Sequence, residues 1–182
     1  MSQHEERVVL AILARINLQK ITNWRRSFRK GERPDLVSYL DPRLVLFLHT
    51  TSRDEALKQL VDALHAAEKL EDREAFYQAI LEREKIVSTG IGIGVAIPHA
   101  KIPEGDDFFI AIGIQAKEGI AWNALDGSLV RLIFMIGGPA QQPAEYLSLL
   151  SRLTLAIKDE DRRKKLLKVR SVKDVIALFE GC

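Results

Sequence analysis

Ser88-Thr89-Gly90-Ile91-Gly92-Ile93-Gly94-Val95-Ala96-Ile97-Pro98-His99-Ala100 is the stretch on which the reading of this chain turns. Its glycines alternate as GxGxG, but position 95 is valine, so the GxGxxG spacing of a dinucleotide fingerprint is absent, and no Gly-Lys-Ser/Thr follows to make a P-loop. What remains is a glycine loop feeding a strand over Ile93 to Ile97 that ends in Pro98-His99. Pro98 fixes its own φ and biases Ile97 toward an extended backbone, so the chain is stiff immediately before the histidine. Ala100 leaves room for a partner beside the ring, and the glycines let backbone N–H groups approach an anion closely. A neutral imidazole keeps one lone pair near neutral pH, its ordinary pKa being about 6.5, and is therefore a competent nucleophile toward phosphorus. Holding the charged phosphoryl oxygens requires fixed donors. Arg83, with a planar fork and a permanent charge, is the candidate upstream, and Ser88 and Thr89 offer secondary hydroxyls. Arg83 also reads as an ordinary helix-surface arginine paired with Glu82 or Glu84, and Ser/Thr beside Gly is common turn chemistry.

Working outward, two more apolar runs of strand length follow, Phe108 to Ile114 and Leu129 to Ile136, separated by turn residues such as Gly119, Asp126 and Gly127. Upstream, the apolar run Leu44 to Leu48 reads as a strand entering a core. Ser52 and Glu55 form a capping-box signature ahead of a helix with Leu57, Leu60, Val61 and Leu64 on one face. A second helix starts about Asp72 and places Arg83 near its C-terminal end. Pro143 suits a first helical position, Leu147, Leu150, Leu153 and Ile157 follow at helical spacing, and two shorter helices begin about Asp161 and Ser171. The order β-α-α-β-β-β-α-α-α predicts an α+β fold, an α/β/α three-layer sandwich with one sheet covered by helices on both faces.

A chain of 182 residues, 47% hydrophobic and 29% charged, buries one good core and is too short for two ordinary domains. It has no run of about 18 apolar residues and no signal-peptide layout at its start, so a cytoplasmic location is expected. Cys182, the one cysteine, is the last residue, which excludes an internal disulfide and a cysteine metal site and suggests a frayed terminal thiol. His49 and His65 lack partners at metal-ligand spacing and read as solvated or capping residues; no cofactor or metal is expected. Charge is uneven. Residues 1–35 carry eight Lys/Arg and four Asp/Glu (8 − 4 = +4), leaving 19 − 21 = −2 for residues 36–182. The first segment reads as an amphipathic helical arm in which Arg25, Arg26, Arg29 and Lys30 interleave with Trp24 and Phe28. Such an arm packs on the body or on a second subunit, or contacts an acidic partner such as lipid or nucleic acid.

Arg83-Glu84, then Ser88-Thr89-Gly90-Ile91-Gly92 and Val95-Ala96-Ile97-Pro98-His99, with Asp126-Gly127 and Leu147 to Leu153 as weaker support, resemble a known family. It is the type-2 IIA domains of the bacterial phosphotransferase system (PTS), which include mannitol, fructose and nitrogen-regulatory IIA proteins; the resemblance spans roughly residues 36–182. It implies a mixed sheet between helical layers, phosphorylation at His99, Arg83 beside the phosphate, and a phosphorylated donor, the histidine carrier protein HPr or its nitrogen-branch relative. Onward partners would be a IIB domain or a regulated transporter or kinase, and a homodimer is compatible. One departure stands out: family members usually carry a second histidine just before a leucine-rich helix, where this chain has Glu145-Tyr146, and no histidine follows His99. A tyrosine donates a hydrogen bond to phosphate but cannot become cationic. Tyr146 is accordingly expected in that role. Together with the added arm and the lack of a transmembrane segment or attached IIB domain, it tilts the reading toward a regulatory, nitrogen-type phosphocarrier. A sugar-specific relay and a binding module without turnover are the alternatives.

Overall fold

Ser52, Asp72, Asp159 and Ser171 each turn a side-chain oxygen onto the backbone N–H three residues ahead, at 2.8–3.3 Å. These caps satisfy N–H groups that a helix start otherwise leaves bare. They fix four of the five α-helices among the described residues, 35–103 and 107–182, of the computed structural model. The capped helices are α1 (Arg53–Ala66), α2 (Arg73–Ile86), α4 (Glu160–Leu166) and α5 (Val172–Ala177). The fifth, α3 (Pro143–Lys158), begins on Pro143, whose missing N–H costs nothing at that position. The Ser52 cap differs from a reciprocal capping box: Glu55 receives the Thr50 hydroxyl (2.7 Å), and Thr50 Oγ1 receives the Ser52 N–H (3.0 Å).

The strands are β1 (Leu40–Phe47), β2 (Gly90–Gly92), β3 (Val95–Ala96), β4 (His99–Ile102), β5 (Phe109–Ile114) and β6 (Leu132–Pro139). They form one mixed sheet in the order β1-β5-β6-β3-β2, with β4 also on β6. β1 is parallel to β5, β3 and β4 are parallel to β6, and the β5/β6 and β2/β3 pairs are antiparallel. Every residue of β5 and β6 is buried because both faces are covered. On one face Phe109, Ala111, Ile133 and Met135 join Leu57, Leu60, Leu64 and Ile80 of α1 and α2, with Phe76 edge-on to Phe109. On the other, Phe134 meets Phe179 just beyond α5. The three-layer sandwich is thus as expected, with a short 3-10 helix, Leu36–Tyr39, added ahead of β1.

Where the elements differ from expectation, backbone chemistry explains it. The single strand expected over Ile93 to Ile97 is a hairpin, because Gly92, Ile93 and Gly94 all turn through positive φ (88°, 54° and 75°). Ile93 has a side chain that disfavours this conformation, and Asp126 secures it by accepting the Ile93 N–H at 2.8 Å. Pro98 has no N–H to give the ladder, so it separates β3 from β4, which lie along the same side of β6; His99 therefore opens a strand instead of closing one.

β6 also runs on through Gly137-Gly138, where the sequence suggests an end. A Cβ on either glycine would overlap the rings of Phe109 and Phe108 respectively, so these rings need bare backbone beneath them. Gly137→Ala or Gly138→Ala should cost about 1–3 kcal/mol by overpacking, read as a lowered midpoint in thermal or urea unfolding. Cys182 is not frayed: its carbonyl accepts the Leu36 N–H (3.2 Å) and its N–H bonds Phe179 O (3.2 Å). Among the described residues no helix is long and apolar enough to cross a membrane. The helical arm read over residues 1–35 lies, apart from Asp35, outside the described residues.

Candidate functional site

The last turn of α2 lies against β4, and from it Arg83 reaches the first residue of that strand. Arg83 Nε–H donates to His99 Nε2 at 3.0 Å, and an Nη1–H donates to Val87 O at 2.9 Å. The other ring nitrogen, Nδ1, lies 2.9 Å from Ile97 O. A carbonyl only accepts, so Nδ1 carries the proton; Arg83 only donates, so Nε2 carries the lone pair. The two partners together select one neutral tautomer. Burial pushes the His99 pKa below its ordinary 6.5, the Ile97 carbonyl acts against that, and the Arg83 charge adds to the lowering.

A guanidinium has five N–H groups, of which two are used here (5 − 2 = 3 left for another acceptor). The expected alternative, an ion pair with Glu82 or Glu84, is not what the arginine makes: Glu82 pairs with Lys85, and Glu84 turns the other way.

Tyr146, in the first turns of α3, lies with its ring 6.0 Å from the His99 ring and 6.4 Å from that of Phe108. Among the described residues its hydroxyl is the buried side-chain polar atom left without a hydrogen-bond partner. Burial raises its pKa well above the ordinary value, with the Arg83 charge acting the other way, so it stays a phenol and a donor.

The structure uses Ser88 and Thr89 differently from the expectation that they donate to phosphate. The Ser88 hydroxyl donates to Trp122 O at 2.7 Å and accepts the Gly90 N–H at 3.1 Å. The Thr89 hydroxyl donates to Glu84 at 2.5 Å and accepts Trp122 Nε1–H at 3.2 Å. Both hydroxyls anchor the glycine loop to its framework in this structure. His49 is exposed and His65 Nδ1 contacts Leu70 O at 3.1 Å; neither approaches the site's hydrogen bonds. No group of three or more His, Cys, Asp or Glu that could hold a metal occurs among the described residues.

With this geometry in view, the family described as "Phosphoenolpyruvate-dependent sugar phosphotransferase system, EIIA 2" matches residues 38–182. The chain belongs to the PTS EIIA type-2 family. A fructose-specific EIIABC component of Bacillus subtilis is 38% identical over 134 residues, covering 74% of this chain but only 21% of that longer protein. A nitrogen regulatory protein of Bradyrhizobium diazoefficiens is 34% identical over 147 residues, covering 80% of this chain and 90% of the relative. Among solved structures, the nitrogen regulatory protein IIA-Ntr of Neisseria meningitidis superposes with a TM-score of 0.73 at 28% identity, covering 79% of this chain and 98% of its own. A PTS EIIA domain is a phosphoryl-transfer component, and both sugar-specific and nitrogen-regulatory relatives share this fold.

Three residues around this candidate site were not singled out as functional from sequence: Glu84, Trp122 and Phe108. Glu84 sits beside the arginine in the motif, yet nothing in its spacing shows that it is buried (6% exposed) and aimed at Thr89. Trp122 comes from a loop 33 residues away, and no local pattern connects it to the glycine stretch.

Proposed function

We propose that this protein is a phosphocarrier in which His99 Nε2 takes a phosphoryl group from a phosphorylated HPr-type protein. The observation that carries this reading is the pair of hydrogen bonds on the ring, Nδ1–H to Ile97 O and Arg83 Nε–H to Nε2. They hold a neutral nucleophile beside a permanent cation. In the transfer, the Nε2 lone pair forms a bond to phosphorus while the donor histidine's P–N bond breaks and returns its electron pair to the donor ring. The proton stays on Nδ1, hydrogen-bonded to Ile97 O, throughout, so the step requires no base. The product ring is positively charged, which keeps the phosphoryl group labile. Arg83 releases Nε2 and turns its N–H groups onto the phosphoryl oxygens, where a fork-shaped cation is most useful.

Tyr146 supplies the remaining donor. An unpartnered buried hydroxyl costs on the order of 1–3 kcal/mol, and a phosphoryl oxygen on Nε2 would relieve it. Tyr146→Phe should therefore leave the unphosphorylated protein equally or more stable in thermal melts, while the phosphorylated form loses its phosphate several-fold faster, as loss of about one hydrogen bond implies. A phosphohistidine lifetime unchanged in both Tyr146→Phe and Tyr146→His would remove Tyr146 from the site.

The regulatory, nitrogen-type branch is the favoured use, because a tyrosine that only donates supports a retained phosphate better than rapid exchange, and a nitrogen regulatory relative matches 80% of this chain. Sugar relay to a IIB cysteine is the second reading, supported by the 38% identity to a fructose-specific component. In either case the protein works in the cytosol, where a phosphorylated HPr would be found. Residues 1–35, with their +4 charge, would be an arm separate from the IIA body, serving contact with an acidic partner or a second copy. Mixing the phosphorylated protein with candidate IIB domains separates the uses: transfer within the time of one turnover supports relay, and retention supports a switch.

A further inference from the structure

The buried carboxylate of Glu84 has no role in the phosphate chemistry described above, yet it stands one residue from Arg83 on the same helical turn. Its two oxygens hold Thr89 from two sides, Oε1 accepting the backbone N–H at 2.9 Å and Oε2 accepting the hydroxyl at 2.5 Å. The direction of the hydroxyl is fixed. Trp122 Nε1–H only donates, so Thr89 Oγ1 accepts from it, and the hydroxyl hydrogen goes to Glu84. Thr89 O in turn accepts the Ile97 N–H at 3.0 Å, and Ile97 O receives His99 Nδ1–H.

We infer that Glu84 is a positioning residue for phosphoryl transfer: through Thr89 and Ile97 it holds the Nδ1 side of His99 while its neighbour Arg83 holds the Nε2 side. One turn of α2 thus grips both nitrogens of the ring, one directly and one through a hydrogen-bonded chain. This rests on the phosphohistidine reading for its consequence, but not for its geometry. Ile97 is an interruption between β3 and β4, since Pro98 removes the ladder contact after it, so its orientation depends on the Thr89 contact more than that of a residue inside a strand would. The alternative role for the Glu84-Thr89-Trp122 cluster is simply to fill and satisfy a buried space, which would affect stability and nothing at the ring.

Three variants of the full chain separate the two. In Glu84→Gln the carboxamide NH₂ faces Thr89 Oγ1, which already receives Trp122, so the hydroxyl hydrogen loses its acceptor. Thr89→Val removes the hydroxyl at nearly constant shape, and Thr89→Ser restores it. Each is measured by ¹H–¹⁵N spectroscopy of the unphosphorylated His99 ring, by the rate of phosphoryl uptake from phosphorylated HPr, and by thermal melting. Wild type should show the Nδ1–H tautomer. Glu84→Gln and Thr89→Val should show mixed tautomers and uptake slowed about tenfold, equivalent to one well-placed hydrogen bond, with Thr89→Ser restoring both. Folded Glu84→Gln with the wild-type tautomer and wild-type uptake overturns the inference, even if Thr89→Val is too unstable to measure. If wild type takes up no phosphate, the phosphohistidine reading fails, and the ring spectra still decide whether Glu84 positions His99.

Discussion

His99→Ala is expected to abolish phosphoryl uptake while leaving the fold in place. The ring makes two polar contacts, with Ile97 O and Arg83, and His99 is not among the buried core residues, whose largest side chains include Trp122, Phe109, Phe134 and Phe179. Its removal should shift unfolding by no more than about 1–2 kcal/mol, the net worth of one or two hydrogen bonds. It should also change how stability depends on pH. Burial holds the His99 pKa below 6.5, so the unfolded chain binds this proton more readily than the folded one. As pH falls from about 6.5 through the lowered folded value, wild type progressively loses stability from this group; above 6.5 the contribution is constant. His99→Ala lacks that particular decline, which urea unfolding at a series of pH values would show. Uptake by wild type should follow the same lowered pKa, its acid limb having a midpoint below 6.5, where Nε2 becomes protonated.

Arg83→Ala is the second large effect, and it falls on rate more than on stability. The guanidinium faces the position a phosphoryl group would take, and loss of one fixed donor at a developing anionic charge typically costs roughly 10²-fold or more in rate. Arg83→Lys should recover only part of this, because an ammonium is a point charge that cannot reach Val87 O and Nε2 in one planar fork. Both variants also remove the donor that marks Nε2 as the lone-pair nitrogen, and Arg83→Ala removes a charge that lowers the His99 pKa. The acid limb of the uptake profile should therefore move to higher pH in Arg83→Ala. Stopped-time assays with phosphorylated HPr across pH 5–8 would read both effects, since that range spans the imidazole's ordinary titration. Equal uptake by wild type and Arg83→Ala would remove the arginine from the chemistry.

Much of this was legible in the sequence for identifiable reasons. Ser52, Asp72, Pro143 and Ser171 mark helix starts through chemistry local to a few residues, so they place helices closely. The link between Arg83 and His99 was legible as a motif, and the structure supplies its geometry. The glycine stretch misled because Ile93 looks like a strand residue; the carboxylate that holds it at positive φ comes from Asp126, 33 residues away. The partners of Ser88 and Thr89 in the structure, Trp122 and Glu84, were not legible for the same reason, since the tertiary fold sets them. The end of β6 was hidden because glycine pairs read as breaks, whereas Gly137-Gly138 lie under two phenylalanine rings that the sequence places in a different strand region.

Every phosphoryl-transfer prediction for the site requires the phosphate on His99 Nε2 with Nδ1–H held by Ile97 O. The most direct measurement is the ¹H–¹⁵N and ³¹P spectrum of the protein after incubation with phosphorylated HPr. The structure predicts one acid-labile phosphoryl group, ³¹P–¹⁵N coupling to His99 Nε2 and a retained proton on Nδ1. Phosphate on Nδ1, or the same adduct persisting in His99→Ala, would contradict it.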